Sequence, residues 1–137
     1  MDNAILTPAL ALITWSLVIW FLMYARRIPA MQAANIDPGD AKHPGSLDVL
    51  PSGARAAADN FNHLHEQPTI FYALVFYTLL AGNADGIAVN LAWAYVAIRV
   101  VHSLVQTTSN NVMLRFPLFA ASSLVLVAMT VRNLLAL

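Results

Sequence analysis

Two sets of polar side chains recur at helical spacing within apolar stretches of the sequence. The first set is spaced four, three and four residues apart and comprises Arg55, Asp59, Asn62 and Glu66. The second set has the same spacing and comprises Tyr95, Arg99, His102 and Gln106. Such spacing places side chains on one face of an α-helix, so the sequence predicts an acidic and a basic stripe. Guanidinium groups of this kind can stabilise a bound anion or a thiolate.

The two stripes are expected to face each other. Residues 82–86 form a short turn, so the helices on either side of it must be antiparallel neighbours. With a rise of about 1.5 Å per residue in both helices, Glu66 lies at the depth of Ser103. It is then within one turn of Arg99 and His102, and the two stripes meet inside the bilayer.

Two interpretations of these groups remain open. Glu66 and Arg99 could form only a structural ion pair that fixes helix register, with Asn62 and His102 satisfying the remaining hydrogen bonds. Alternatively, the same residues line a polar ligand site. More polar side chains converge here than register requires, and a central charge costs roughly 2.5–3.5 kcal/mol to insert. The sequence therefore favours the ligand site.

The elements that must position these residues are transmembrane helices. Hydrophobic residues make up 59% of the 137 positions and charged residues 10%, and the mean hydropathy is +0.64. Soluble domains carry about 25% charged residues, and about 20 apolar residues cross a bilayer as a helix. We therefore predict an all-α membrane protein, a four-helix bundle in one domain, with Pro68 kinking the second helix. The predicted spans are residues 5–24, 55–81, 87–106 and 114–137.

The distribution of basic residues predicts the orientation of these spans. Residues 25–54 are rich in proline and glycine and read as a loop. Most basic residues lie in or beside this loop or at the start of the fourth span, and they are Arg26, Arg27, Lys42, Arg55 and Arg115. The opposite side holds only Arg132. Cytoplasmic loops carry the excess of Lys and Arg, so we expect loop 25–54 in the cytoplasm and both termini outside.

Composition also excludes several functions. Seven basic and seven acidic residues give no net charge, so nothing favours nucleic acid as a partner. The chain has no cysteine, so any thiol used in chemistry must come from a substrate. The spacing of His63 and Glu66, with His102 nearby, is weak as a metal motif, and no metal is expected. The first span has no ionisable residue, which argues against a proton-coupled transporter.

Two longer segments resemble a known family. They are DNFNHLHEQPTIFYALVFY (59–77) and AYVAIRVVHSLVQTTSNNVMLRFPLFA (94–120). Both are similar to the membrane-associated proteins in eicosanoid and glutathione metabolism, the MAPEG family, and the second resembles bacterial members. The length, the four spans and the long first loop agree with this resemblance, which covers essentially the whole chain.

The resemblance implies a function and an assembly. MAPEG proteins are typically homotrimers that bind glutathione between subunits near the cytoplasmic face, while a lipophilic second substrate approaches from the bilayer. An arginine stabilises the glutathione thiolate. The expected function is thus a membrane-bound glutathione-dependent transferase or peroxidase acting on small lipophilic electrophiles, in the bacterial inner membrane. The alternative is a non-catalytic lipid-binding or scaffold protein of the same fold.

The resemblance also assigns residues. Arg115 is the nearest match to the arginine that stabilises the thiolate. The expected glutathione-binding residues are Arg26, Arg27, Asn62, His63, Glu66, Arg99 and His102. The chain departs from the eicosanoid-type pattern Arg-x-x-x-Asn-x-x-Glu, because Asp59 and His63 stand at the places of the arginine and the asparagine.

Overall fold

The structure is a computed structural model that describes residues 3–43 and 45–137, so that Met1, Asp2 and Pro44 lie outside it. The described residues form five α-helices and a short 3-10 helix, Pro38–Asp40, with no strand. The α-helices are α1 (Leu6–Ala33), α2 (Ser52–His63), α3 (Pro68–Leu80), α4 (Gly86–Thr107) and α5 (Val112–Leu135). Helices α2 and α3 together take the place of the second helix of the bundle. The predicted all-α four-helix architecture is confirmed.

Helix α1 continues nine residues beyond the predicted span, so Arg26 and Arg27 are helical rather than part of the loop. The helix ends where Asn35 adopts the left-handed conformation, with φ of 55°. The amide of Ile36 then donates to the carbonyl of Met31 at 3.0 Å, which completes a Schellman cap. The end of α1 is set by the backbone conformation of Asn35, which cannot be predicted from hydropathy.

Between α2 and α3 the helix is interrupted where a kink was expected. Pro68 is the first residue of α3 and has no N–H to donate to the carbonyl of Leu64. The preceding residues form a tight turn, in which Glu66 N–H donates to the carbonyl of His63 at 3.2 Å. Such i→i−3 bonds wind the chain more tightly than an α-helix does. The break therefore divides this part of the chain into two helices, α2 and α3.

The helices pack around an apolar core. Its fully buried members include Leu12 of α1, Phe71 and Val75 of α3, and Ala92 and Tyr95 of α4. The rings of Phe71 and Tyr95 stack with centroids 4.5 Å apart. This contact packs α3 against α4. It lies closer to the turn between the two helices than Glu66 and Arg99 do.

Three of the described helices, α1, α4 and α5, are long and apolar enough to cross a membrane. Large apolar side chains on their outer surfaces are exposed, among them Leu10, Leu17 and Phe21 of α1 and Leu124 of α5. In a bilayer these side chains contact lipid or other protein rather than water. The structure is thus that of a membrane protein, as the composition predicted.

Candidate functional site

A cavity of about 320 Å³ lies between the α2–α3 turn, α4 and the start of α5. Its polar lining holds the predicted residues His63, Glu66, Arg99, His102 and Arg115. They come from separate elements, and Glu66 of the first stripe lies here with Arg99 and His102 of the second. The cavity is within the size range of small-molecule sites, roughly 300–1,000 Å³.

Arg99 is the most deeply buried of these residues. Only 1% of it is exposed, and its Nη2 donates to the carbonyl of His63 at a long distance of 3.4 Å. Its Nε has no partner. Among the described residues, the ion pair within 4 Å is Arg132–Asp85, so Glu66 and Arg99 line one cavity without pairing. The structural ion pair considered for these two residues is not formed.

His63 is held by two buried amide side chains, those of Gln106 and Asn60, which are called the amide relay below. Its Nδ1 lies 3.2 Å from Oε1 of Gln106, and Asn60 Nδ2 donates to the same oxygen at 2.9 Å. Asn60 and Gln106 are 0% and 1% exposed. The rings of His63 and His102 are 6.5 Å apart, and Nδ1 of His102 has no partner. The cavity wall therefore carries two imidazoles, of which one is firmly oriented.

Arg115 is tied to the connection between α4 and α5. Its Nη1 donates to Oδ1 of Asn110, a residue in the left-handed conformation with φ of 52°. Its Nε has no partner. Asn111 caps the start of α5 by accepting from the amide of Met113. These contacts hold the guanidinium at the end of the cavity nearest the loop side of the molecule.

Gln67 is a cavity residue that the sequence did not reveal. Its Nε2 donates to Ser123 Oγ at 2.6 Å, and its Oε1 accepts from Tyr95 at 3.2 Å and Ser122 at 3.3 Å. One side chain thus joins the start of α3 to α4 and α5. The spacing gave Gln106 a place in the second stripe, but Asn60 and Gln67 lie off the stripes, and only the three-dimensional contacts identify them.

Three residues predicted for the glutathione site lie elsewhere. Arg26 Nη1 donates to the carbonyls of Thr107 at 2.8 Å and Gly53 at 3.1 Å. Arg27 and Asn62 line a separate cavity of about 430 Å³, together with Asp59 and other residues of the loop and α2. Within one chain they are therefore not grouped with Glu66. The break before Pro68 lies between Asn62 and Glu66 and divides the first stripe in two, whereas Arg26 and Arg27 lie on α1.

The rim of the 320 Å³ cavity is apolar. Val112, Phe116 and Phe119 line it and are 62%, 70% and 44% exposed. All three lie on α5, whose outer surface is suited to lipid. The arrangement can bind an anion on its guanidinium groups and place an apolar molecule beside it. No group of three or more metal-binding side chains occurs within residues 3–43 and 45–137.

Comparison with known proteins gives one family. The model described as "MAPEG family" matches residues 5–135, and this confirms the resemblance seen in the sequence. No curated protein and no solved structure matches the chain.

Proposed function

Because the chain belongs to the MAPEG family, we propose that it is a membrane-bound glutathione-dependent transferase or peroxidase acting on lipophilic electrophiles. Glutathione would occupy the cavity lined by Glu66, Arg99 and Arg115. The family includes catalytic and non-catalytic members, so the proposal depends on what this cavity can hold.

The observation that carries the proposal is the buried guanidinium of Arg99. Burying a charge without a directly paired counter-ion is strongly unfavourable. Glu66 attracts this guanidinium, but no described carboxylate lies within 4 Å of it. An anion in the adjoining cavity would supply the missing charge. Glutathione has two carboxylates and can form a thiolate, so it satisfies this requirement.

The charges of the lining suit the whole tripeptide. Glu66 is exposed to the cavity and free of an ion pair, so it can accept the ammonium group of glutathione. Arg99 and Arg115 can bind a carboxylate and the sulfur. A thiol of this type has a pKa of about 8.5, and a guanidinium favours its ionised form. The side chains of Phe116 and Phe119 would contact the lipophilic second substrate.

The family also supports an assembly and a location for the proposal. We propose a homotrimer in the bacterial inner membrane, with loop 25–54 in the cytoplasm. The residues Arg26, Arg27 and Asn62, which lie outside the cavity of their own chain, would then act at the loop face of the trimer.

The proposal is tested by titrating purified protein with glutathione and by measuring conjugation to a generic lipophilic electrophile. We expect saturable binding, and Arg115→Ala should lower kcat by roughly 10²-fold, as the loss of one stabilising donor does. Arg132→Ala removes an arginine at the opposite end of the bundle and should leave the rate unchanged. Absence of saturable binding would exclude the proposal, and binding without turnover would favour the lipid-binding or scaffold alternative.

A further inference from the structure

We infer that His63 accepts the thiol proton of the bound substrate and that Gln106 is the residue that positions it. This inference rests on the proposed function, since it assumes that a thiol occupies the cavity. His63 lines that cavity at the end of α2. It stands where the eicosanoid-type pattern has an asparagine, which cannot take up a proton at this step.

The relay from Asn60 through Gln106 determines which ring nitrogen of His63 is free. Gln106 Oε1 already accepts a hydrogen bond from Asn60. A carbonyl oxygen only accepts, so the contact at 3.2 Å requires that Nδ1 of His63 carries the hydrogen. In the neutral ring, Nε2 then has the free lone pair. The buried amide thus selects the tautomer whose basic nitrogen is available to the cavity.

The charges around His63 come from every element packed against it. Glu66 lies in the following turn, Arg99 and His102 on α4, and Arg115 on α5. Arg99 and Arg115 oppose a positive charge on the ring, whereas Glu66 favours it. The end of α2 also favours it, because the C-terminus of a helix carries partial negative charge. A thiolate formed beside the ring adds a second negative charge, so the proton transfer produces an ion pair within the cavity.

The proposed step is balanced without any further reactant. The S–H bond of the substrate breaks as Nε2 of His63 forms an N–H bond, and both sulfur electrons stay on the thiolate. Arg115 stabilises that thiolate, which then attacks the electrophile. The imidazolium can return its proton to the leaving group or to water. The protein needs no cysteine of its own for this chemistry.

The first test replaces His63 with the asparagine of the family pattern. In wild type, thiolate absorbance should appear on glutathione binding without release of a proton to the medium, because His63 retains it. In His63→Asn, we expect release of about one proton per thiolate formed. The conjugation rate at neutral pH should fall by roughly 10²-fold and recover at alkaline pH, so the acid limb of kcat/KM moves to higher pH.

His65→Asn is the matched control. His65 is exposed, and its Nδ1 contacts the carbonyl of Phe61 at 2.8 Å, away from the cavity. The same substitution there should leave both proton release and the pH profile as in wild type.

The second test changes Gln106 and measures the direction of the pH response. Gln106→Met removes the acceptor that stabilises the protonated ring, so the acid limb should move to lower pH. Gln106→Glu keeps an acceptor and adds a negative charge beside the ring, so the limb should move to higher pH with the rate at its plateau largely retained. A role in packing alone would lower the rate in both variants without moving the limb.

The outcomes separate this inference from the proposed function. If wild type does not bind glutathione, both fail. If wild type binds and turns over glutathione, but His63→Asn keeps the wild-type proton balance and pH profile, only the inference about His63 and Gln106 is overturned. His63→Gln serves as a second variant if the asparagine substitution impairs folding.

Discussion

Arg99 is the residue at which the free-energy cost of burying a charge is most clearly linked to a function. It is 1% exposed, and its main contact within the protein is a long hydrogen bond to a backbone carbonyl. Arginine cannot lose its charge in a protein, so it cannot escape the cost of burial by deprotonation. A chain selected for stability alone would have an apolar residue here. We therefore interpret the buried charge as a requirement of the ligand.

This interpretation predicts opposite effects of one substitution on stability and on binding. Arg99→Met keeps the volume and length of the side chain but removes the charge. We expect the thermal unfolding midpoint in detergent to stay the same or rise, by the equivalent of about 1 kcal/mol. Glutathione binding should be lost.

Arg132→Met is the control for this prediction. The side chains of Arg132 and its partner Asp85 are 37% and 55% exposed. Ion pairs that water reaches contribute little to stability, so the unfolding midpoint and glutathione binding should both change little. A clear fall in the midpoint of Arg99→Met would show instead that Arg99 is structural.

Among the elements, the break between α2 and α3 has the greatest effect on the site. It separates Asn62 from Glu66, which a continuous helix would place on one face. Glu66 therefore faces the cavity with Arg99, whereas Asn62 and Asp59 line the other cavity. The acidic side chain of Asp59 is thereby kept away from the place proposed for an anionic substrate.

Restoring the helix at Pro68 is expected to damage the site. In Pro68→Ala, the new N–H of residue 68 can donate to the carbonyl of Leu64. The amide hydrogen of residue 68 should then exchange slowly with solvent. The same change rotates Glu66, so kcat/KM for glutathione should fall by roughly 10²-fold, a cost typical of misplacement by about 1 Å.

Pro29→Ala provides the comparison, because Pro29 lies inside α1 and away from the cavity. This variant should gain a helical hydrogen bond without loss of activity. Equal activity in Pro68→Ala and wild type would show that the break does not position Glu66.

The sequence predicted those features that depend on side-chain periodicity. Helix α4 is unbroken, so its stripe of Arg99 and His102 reached the cavity as expected. The grouping of Asn62 with Glu66 depended on a continuous helix, and one proline changed it. The end of α1 depended on the conformation of Asn35, and Gln67 depends on contacts with distant serines. Periodicity contains no information about either.

The start of α4 gives a prediction on acid stability. Asp85 caps this helix, and the hydrogen bond that its carboxylate accepts from the amide of Ala88 lowers its pKa below the ordinary 3.8, with Arg132 adding to the effect. A lowered pKa in the folded state stabilises the protein above the unfolded value and is lost as pH falls through the folded value. The thermal midpoint should therefore decline as pH falls below about 3.8.

The variant Asp85→Asn should show a weaker decline over the same pH range, because an amide does not titrate. Asp40→Asn, which makes the same change in the loop, should follow wild type. A decline of equal size in Asp85→Asn and wild type would show that Asp85 does not contribute to acid sensitivity.

At the scale of the whole molecule, the arginines are concentrated at one end of the bundle. Arg26, Arg27, Arg55 and Arg115 lie toward the end of the bundle that carries the loop, whereas Arg132 lies beside the turn before α4. The 320 Å³ cavity reaches from the loop-side end, where Arg115 is held, to the apolar surface of α5. A water-soluble substrate and a lipophilic one could therefore enter it from different phases.

The orientation of the chain can be tested directly, because the chain has no cysteine and gives no background labelling. Val49→Cys places a thiol in the loop, where Val49 is 77% exposed, and Ala81→Cys places one at the exposed end of α3. In intact cells, a membrane-impermeant maleimide should label Ala81→Cys and leave Val49→Cys unlabelled until the membrane is opened. The positive-inside distribution of arginines is the physical reason. Labelling in the reverse order would place the loop outside and would separate the cavity from the cytoplasmic supply of glutathione.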